Sequence, residues 1–328
     1  MRRRAILTGL AATACTGLPA RRGAGQMMPT MLRVGLVSIA NPRSTTQYVA
    51  LEGRLRELGY VEGRNLVIDF IFLDGQVERY GEAMRALVAR KADVLIALGP
   101  ELSLKAAMAA TTEIPIVMVA FDYDPLALGH VASLAQPGGN VTGLFLQQVE
   151  LAAKRMQFLR EAFPRLRAAT VFWDAQSAHQ WRAAQEVSSS LGLEVAGIEL
   201  AAQPYDYDAA LARAPADHRR MVGVCNSARF FSDRVRLAEF ALRNGAATIF
   251  AFREWVEAGG LMSYGPGLAE ISRRTADYVD RLARGAKPTE LPIEQPTRFE
   301  LVVNLRTARM LGIDLPPSIF ARADEVIE

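Results

Sequence analysis

Cysteine is scarce in this chain: Cys15 and Cys225 are the only two among 328 residues. Cys225 is the sole one beyond residue 26, so a form lacking the first 26 residues has no internal disulfide. It sits in the apolar run Met221-Val222-Gly223-Val224-Cys225 and is read as a small buried hydrophobe. Histidine is scarce as well. His130, His179 and His218 are isolated from one another and are read as surface residues, not catalysts. No HExxH or CxxC spacing occurs, so no metal is expected from motifs of that kind. No GxSxG nucleophile elbow occurs either. Gly265-Pro266-Gly267 begins like a dinucleotide fingerprint, but Glu270 stands where the third glycine belongs. Gly138-Gly139-Asn140 lacks the Gly-Lys-Ser/Thr ending of a phosphate loop. Together these absences remove the main signals for a cofactor and for most enzyme classes. Low-complexity tracts and long Ser/Gly linkers are also missing, so any domains must be joined by short crossovers.

The charge is uneven. Net charge is +3, yet residues 1–26 hold Arg2, Arg3, Arg4, Arg21 and Arg22 and no acid, so without them the balance is −2. A near-neutral mature chain loses the compositional case for nucleic-acid binding. The start Met1-Arg2-Arg3-Arg4 followed by a short apolar run has the pattern of an export signal, with cleavage expected around 23–26. Arg3-Arg4 also resembles a twin-arginine signal. Ala12-Thr13-Ala14-Cys15 resembles a lipobox, with Ala12 where leucine is usual. A periplasmic location is therefore expected.

Apolar strand-like runs alternate with helical segments in what remains. Strands are predicted at 32–39, 66–72, 94–98 and 114–119, with helices at 45–58, 77–90 and 102–110 between them. Gly59 is placed to cap the first helix. The pattern then restarts, with strands at 168–173, 193–200, 221–225 and 248–251. Helices at 150–163, 178–191, 207–214 and 231–243 intervene. Such runs indicate parallel sheets covered on both faces. The last third differs: a charged amphipathic helix at 268–285, an extended segment at 291–296, a strand at 299–303, a short helix at 305–311, and a rigid Pro316-Pro317 end piece. The expected fold is α/β, with two Rossmann-like lobes and about three crossovers. Lobe 1 is expected at 33–143 plus 264–295, and lobe 2 at 144–263 plus 296–328. Segments 141–144 and 261–264 are expected to bend as hinges.

The segment Phe252-Arg253-Glu254-Trp255-Val256-Glu257-Ala258-Gly259-Gly260 runs into Leu261-Met262-Ser263-Tyr264-Gly265-Pro266. Carboxylates and aromatics beside a Gly-Gly break suggest the wall of a ligand cleft. This segment closely resembles a signature of bacterial ABC-transporter solute-binding proteins of the tryptophan/tyrosine-binding group. Residues 55–65, 135–143, 295–305 and 313–328 resemble further motifs of that family in the same order. The resemblance covers about 33–328. It implies a type I periplasmic-binding-protein fold, a small-molecule solute held between the lobes, and an ABC permease in the inner membrane as partner. It implies a monomer with no catalytic residues, no cofactor and no nucleic-acid partner.

Ligands of open parallel sheets bind beyond the carboxyl ends of the strands. The candidates there are Asn41; Gly99, Glu101 and Ser103; Asp122 and Asp124; Trp173, followed by Asp174; Asn226 and Ser227; Glu254; and Tyr264. Asp122, Asp124 or Glu254 could neutralise an ammonium. Helix-end amides, Asn226 or Ser227 could hold a carboxylate. Tyr264, Trp173, Phe121 and Phe252 could enclose an apolar group. An amino acid or similar zwitterion fits this set, and a sugar fits less well. Asp124-Pro125 reads equally as a helix cap. Related chains often carry Gly-Thr where Gly99-Pro100 stands here, which leaves Ser103 as a substitute carboxylate donor. Two other functions compete: a ligand-sensing subunit for a membrane receptor, and a small-molecule enzyme. A transcription regulator of this fold would need an N-terminal helix-turn-helix, where this chain has its export-signal pattern.

Overall fold

A computed structural model describes residues 31–39 and 42–328. The export-signal reading of residues 1–26, Cys15 and the candidate Asn41 lie outside the described residues. The first unit runs β1 (Leu32–Ser38), α1 (Thr46–Glu57), β2 (Leu66–Phe72), α2 (Tyr80–Ala89), β3 (Val94–Gly99), α3 (Glu101–Ala110), β4 (Ile116–Ala120) and β5 (Val141–Phe145). Its strands form a parallel sheet in the order β2-β1-β3-β4-β5. Nearly every side chain of β1 and β4 is buried, as expected of strands covered on both faces.

The second unit runs α4 (Gln148–Ala162), β6 (Ala168–Trp173), α5 (Ala178–Ser190), β7 (Glu194–Glu199), α6 (Tyr207–Ala212), β8 (Met221–Val224), α7 (Ala228–Ser232), α8 (Arg234–Arg243), β9 (Ala247–Phe250), α9 (Arg253–Glu257) and β10 (Met262–Gly265). The chain then returns through α10 (Leu268–Ala283), β11 (Glu300–Asn304), α11 (Leu305–Met310), α12 (Pro317–Arg322) and β12 (Glu325–Ile327). The second sheet has the order β12-β11-β10-β9-β8-β6-β7. Its pairs are parallel except β10 with β11, which is antiparallel.

Helix α10 crosses back to the first unit. Ile271, Tyr278 and Val279 join the core beside Leu51 and Leu55 of α1. Arg54 Nε donates to Asp277 at 2.8 Å and the Tyr60 hydroxyl to Asp280 at 3.0 Å. The chain thus passes between the two sheets after β5, after β10 and before β11.

Residues 141–144, expected to bend as a hinge, lie in the fifth strand of the first sheet, in register with β4. The turn falls just beyond, at Gln147, whose φ of +53° lies in the left-handed region. The buried Arg155 holds this junction: it donates to Gln148 Oε1 at 2.9 Å and to the Tyr264 carbonyl at 3.3 Å. Two other expectations change. The helix expected at 231–243 is two helices, α7 and α8, which meet at Asp233. That carboxylate accepts from the Tyr207 hydroxyl at 2.7 Å and from Arg236 at 3.0 Å, and this side-chain traffic fixes the break. Pro316-Pro317 opens α12 instead of ending the chain stiffly, since proline suits a first helical turn. The edge strand β12 that follows was not foreseen.

Candidate functional site

Strands β1, β3 and β4 of one lobe and β6, β8 and β9 of the other end on the same cleft. Two cavities occupy it. One, of about 40 Å³, is walled by Tyr48, Gly99, Phe121 and Asp122 from the first lobe and by Asn226 and Phe231 from the second. The other, of about 260 Å³, lies between Gly75 and Val77 on one side and Asp174, Leu200, Tyr205 and Arg229 on the other. Ile39 and Ala228 belong to both walls. The lobes touch here: the Phe121 ring lies 5.8 Å from that of Phe252, and Ala228 packs on the first lobe's core. A separate recess of about 860 Å³ lies by the crossovers, near Pro266 and Glu294, away from these strand ends.

Two buried carboxylates stand in the cleft. Asp122 follows β4 and is 5 % exposed; Asp174 follows β6 and is 3 % exposed. Asp174 is fully engaged. Its Oδ1 accepts the Ser177 N–H at 3.1 Å and the Ser177 hydroxyl at 2.8 Å. Its Oδ2 accepts the Ser227 hydroxyl at 2.5 Å and the Tyr205 hydroxyl at 3.3 Å. Asp122 is faced by two backbone amides, its own and that of Glu101. Burial first, and then the charge of Asp174, push its pKa up to about 7. Neither acid has an ion-pair partner among the described residues.

The predicted residues divide. Gly99, Asp122, Asn226 and Ser227 line the small cavity. The buried Asn226 has its backbone held by Gln180, with its N–H donating at 2.8 Å and its carbonyl accepting at 2.8 Å. Its Oδ1 is left without a hydrogen bond. Ser227 is the N-cap of α7. Ser103 is fully buried beneath α3, facing the Tyr80 hydroxyl. Glu101 pairs with His130 Nε2 at 2.7 Å and Lys105 at 2.8 Å. Asp124 caps the turn after it, accepting from Leu126 N–H at 2.8 Å and Ala127 N–H at 3.0 Å. Trp173 packs with the core on the far side of the second sheet. Tyr264 lies there too, its ring 4.6 Å from Phe158. Glu101, Ser103, Asp124, Trp173, Glu254 and Tyr264 line neither cavity.

Glu254 sits on α9 beside Glu257, Arg253 and Glu300, with its Oε2 buried and unbonded. Burial pushes its pKa up to about 7. The neighbouring Gly-Gly break has a packing cause. Gly259 has φ +109°, closed by its N–H on the Val256 carbonyl. A Cβ at Gly260 would come within 2.5 Å of the Phe250 ring. His218, expected at the surface, is buried, its Nδ1 3.0 Å from Asp217. Sequence reasoning missed Gln47, Tyr48 and Phe231, which lie inside helices and turns with no strand-end signal. Asp174 was visible as a strand-end acid, and its place at the cleft centre was not.

Two α/β lobes joined by crossovers, with buried acids in the cleft between them, define a two-lobed binding protein. The chain belongs to the ABC transporter substrate binding protein family, whose model matches residues 36–327. That family consists of transporter binding components, not enzymes, and is typically extracytoplasmic. No helix among the described residues is long and apolar enough to cross a membrane. A tyrosine-binding protein of Clostridioides difficile is 38 % identical over 89 residues; that match spans 27 % of this chain and 25 % of the relative. In structure the chain is similar to a conserved domain protein of Vibrio cholerae, with TM-score 0.80, 24 % identity, and 90 % and 99 % of the two chains covered. It is also similar to an ABC domain from Streptococcus pneumonia in complex with L-Trp, with TM-score 0.78, 21 % identity, and 90 % and 100 % covered. At these identities the structural likeness speaks for the type I periplasmic-binding-protein fold alone.

Proposed function

We propose that this protein captures a small solute, an amino acid or a similar nitrogenous molecule, in the interlobe cleft and delivers it to an ABC permease in the inner membrane. In this reading the protein works in the periplasm as a monomer. One observation carries the proposal: Asp122 and Asp174, from opposite lobes, are buried at one cleft with no cation paired to either. A buried carboxylate without a partner is costly, and a bound ammonium relieves that cost. Phe121, Phe231 and Tyr205 supply apolar surface beside the charge. Gly99, Asp122, Asp174, Asn226 and Ser227 are the proposed contacts. Glu254 and Tyr264, which line neither cavity, are proposed to support the crossovers. Closure around the solute follows as a population shift set by its preference for the closed lobes.

A thermal-shift screen against amino acids, amines, sugars, nucleosides and small carboxylates tests this. Binding to the native state raises the melting temperature. A nitrogenous solute is expected to raise it and to compact the protein in small-angle scattering. Asp122→Ala is expected to lower affinity for that solute at least tenfold. Unchanged affinity in Asp122→Ala would remove the cleft assignment.

A further inference from the structure

The small cavity has one charged wall residue, Asp122. The larger cavity has Asp174, Glu199 and Arg229. Arg229 is already paired, with its guanidinium 3.2 Å from Asp233 Oδ1. An occupant therefore meets an excess of negative charge and no free cation. Asn226 adds a buried, unbonded acceptor oxygen.

Several donors that could receive a ligand carboxylate are held by the protein itself. Pro100, at the start of α3, has no N–H. The next amide, of Glu101, faces the Asp122 carboxylate. The amide of Ser103 donates to the Pro100 carbonyl at 2.9 Å. Across the cleft, the Ser227 hydroxyl and the Ser177 amide and hydroxyl all point to Asp174. Asp122 thus sits where an anionic ligand group would meet the α3 N-terminus. About 40 Å³ beside Asp122 is a few times the ~10–15 Å³ that one water needs, room for a polar head group. The 260 Å³ cavity beyond, with Val77, Leu200 and Tyr205, takes the apolar body. No group of three or more His, Cys, Asp or Glu side chains able to hold a metal occurs among the described residues, so the acid pair does not read as a metal site.

Resting on the solute-capture reading above, we infer that the cleft selects an organic cation: a protonated primary amine on an apolar, ring-sized body, with no carboxylate beside the nitrogen. Selection against the zwitterion comes from repulsion between its carboxylate and the two acids, which is specificity by exclusion.

Calorimetric titration of the purified protein with matched pairs tests this: tryptamine against tryptophan, tyramine against tyrosine, and tryptophan methyl ester as the amine with its carboxylate masked. Amine and ester are expected to bind at least tenfold tighter than the parent amino acid. Asp122→Asn is expected to lose at least tenfold in amine affinity with its melting transition intact, which separates lost recognition from lost folding. An amino acid binding as tightly as its amine overturns the inference and leaves solute capture standing. If neither class binds but another solute compacts the lobes in scattering, the inference again falls alone. If no solute of any class compacts them, both readings fall.

Discussion

Asp122 and Asp174 occupy matching places, each just past a buried strand and each at the cleft, yet their surroundings are opposite. Asp174 is wrapped by two serines and a tyrosine of its own lobe. Asp122 is faced by two backbone amides and has no ion-pair partner among the described residues. Asp174 is therefore part of the architecture, tying the turn after β6 to the cap of α7 and to Tyr205. Asp122 is held ready at a stability cost, as groups that meet a ligand often are. In the proposed reading the same residue type serves as a structural knot in one lobe and a recognition group in the other.

The largest effect should come from breaking the knot. Asp174→Ala strands the Ser227 and Tyr205 hydroxyls in a buried site. Each buried group left unpaired costs about 1–3 kcal/mol. A total loss of about 3–5 kcal/mol in urea unfolding is expected, near the top of the range for single substitutions. Asp122→Asn should go the other way at pH 8, gaining about 1 kcal/mol in the ligand-free protein by removing an unpaired buried charge. A loss in both variants would erase the contrast.

The pH dependence sharpens it further. Asp122 is raised from an ordinary 3.8 to about 7, and Glu254 from 4.5 to about 7. For a raised group, the stabilising contribution is complete below the unfolded pKa and is lost as pH rises through the folded one. Both acids therefore favour the folded, ligand-free protein at acid pH and favour it less as pH climbs through about 7. A cation needs Asp122 ionised, so amine affinity should fall below pH 7, with up to about one proton released on binding at pH 6 and almost none at pH 8.5. The charged and titratable groups near Asp122 are Asp174, Glu101, Tyr80 and Tyr123. Calorimetry in buffers of different ionisation enthalpy reads the proton count directly. In Asp122→Asn that release should vanish.

Much of the fold was legible because periodicity and punctuation report directly on burial. The runs at 66–72 and 168–173 match β2 and β6 end to end, and Gly59 stands after α1 with φ +97°. Short edge elements such as β12 were not legible, because three half-buried residues have no period to read. The proposed site was legible only where strand ends point to the cleft. Asp122, Asn226 and Ser227 are strand-end residues that line the small cavity. Glu254 and Tyr264 were chosen from a Gly-Gly break, and a glycine needed for a turn or a tight contact looks in sequence like one needed for a ligand. Gly260 packing on Phe250 is the first kind. The dressing of Asp174 was hidden because Ser227 lies 53 residues away in sequence.

The smallest predicted effect is the most exacting for the comparison. Asp124 lies two residues beyond Asp122 on the same segment, and sequence alone could not separate cap from ligand contact. The geometry makes it a cap, with the Leu126 and Ala127 amides on one oxygen. Asp124→Ala should cost about 1 kcal/mol, the usual loss of a capping side chain, and leave solute affinity within about twofold. The turn reaches His130, whose ring meets Glu101, and the Glu101 amide touches Asp122. A loosened turn therefore has a path to the recognition acid. An affinity loss in Asp124→Ala that Asp124→Asn restores would show that the path matters, and that Asp122 is held by its turn as Asp174 is held by its serines.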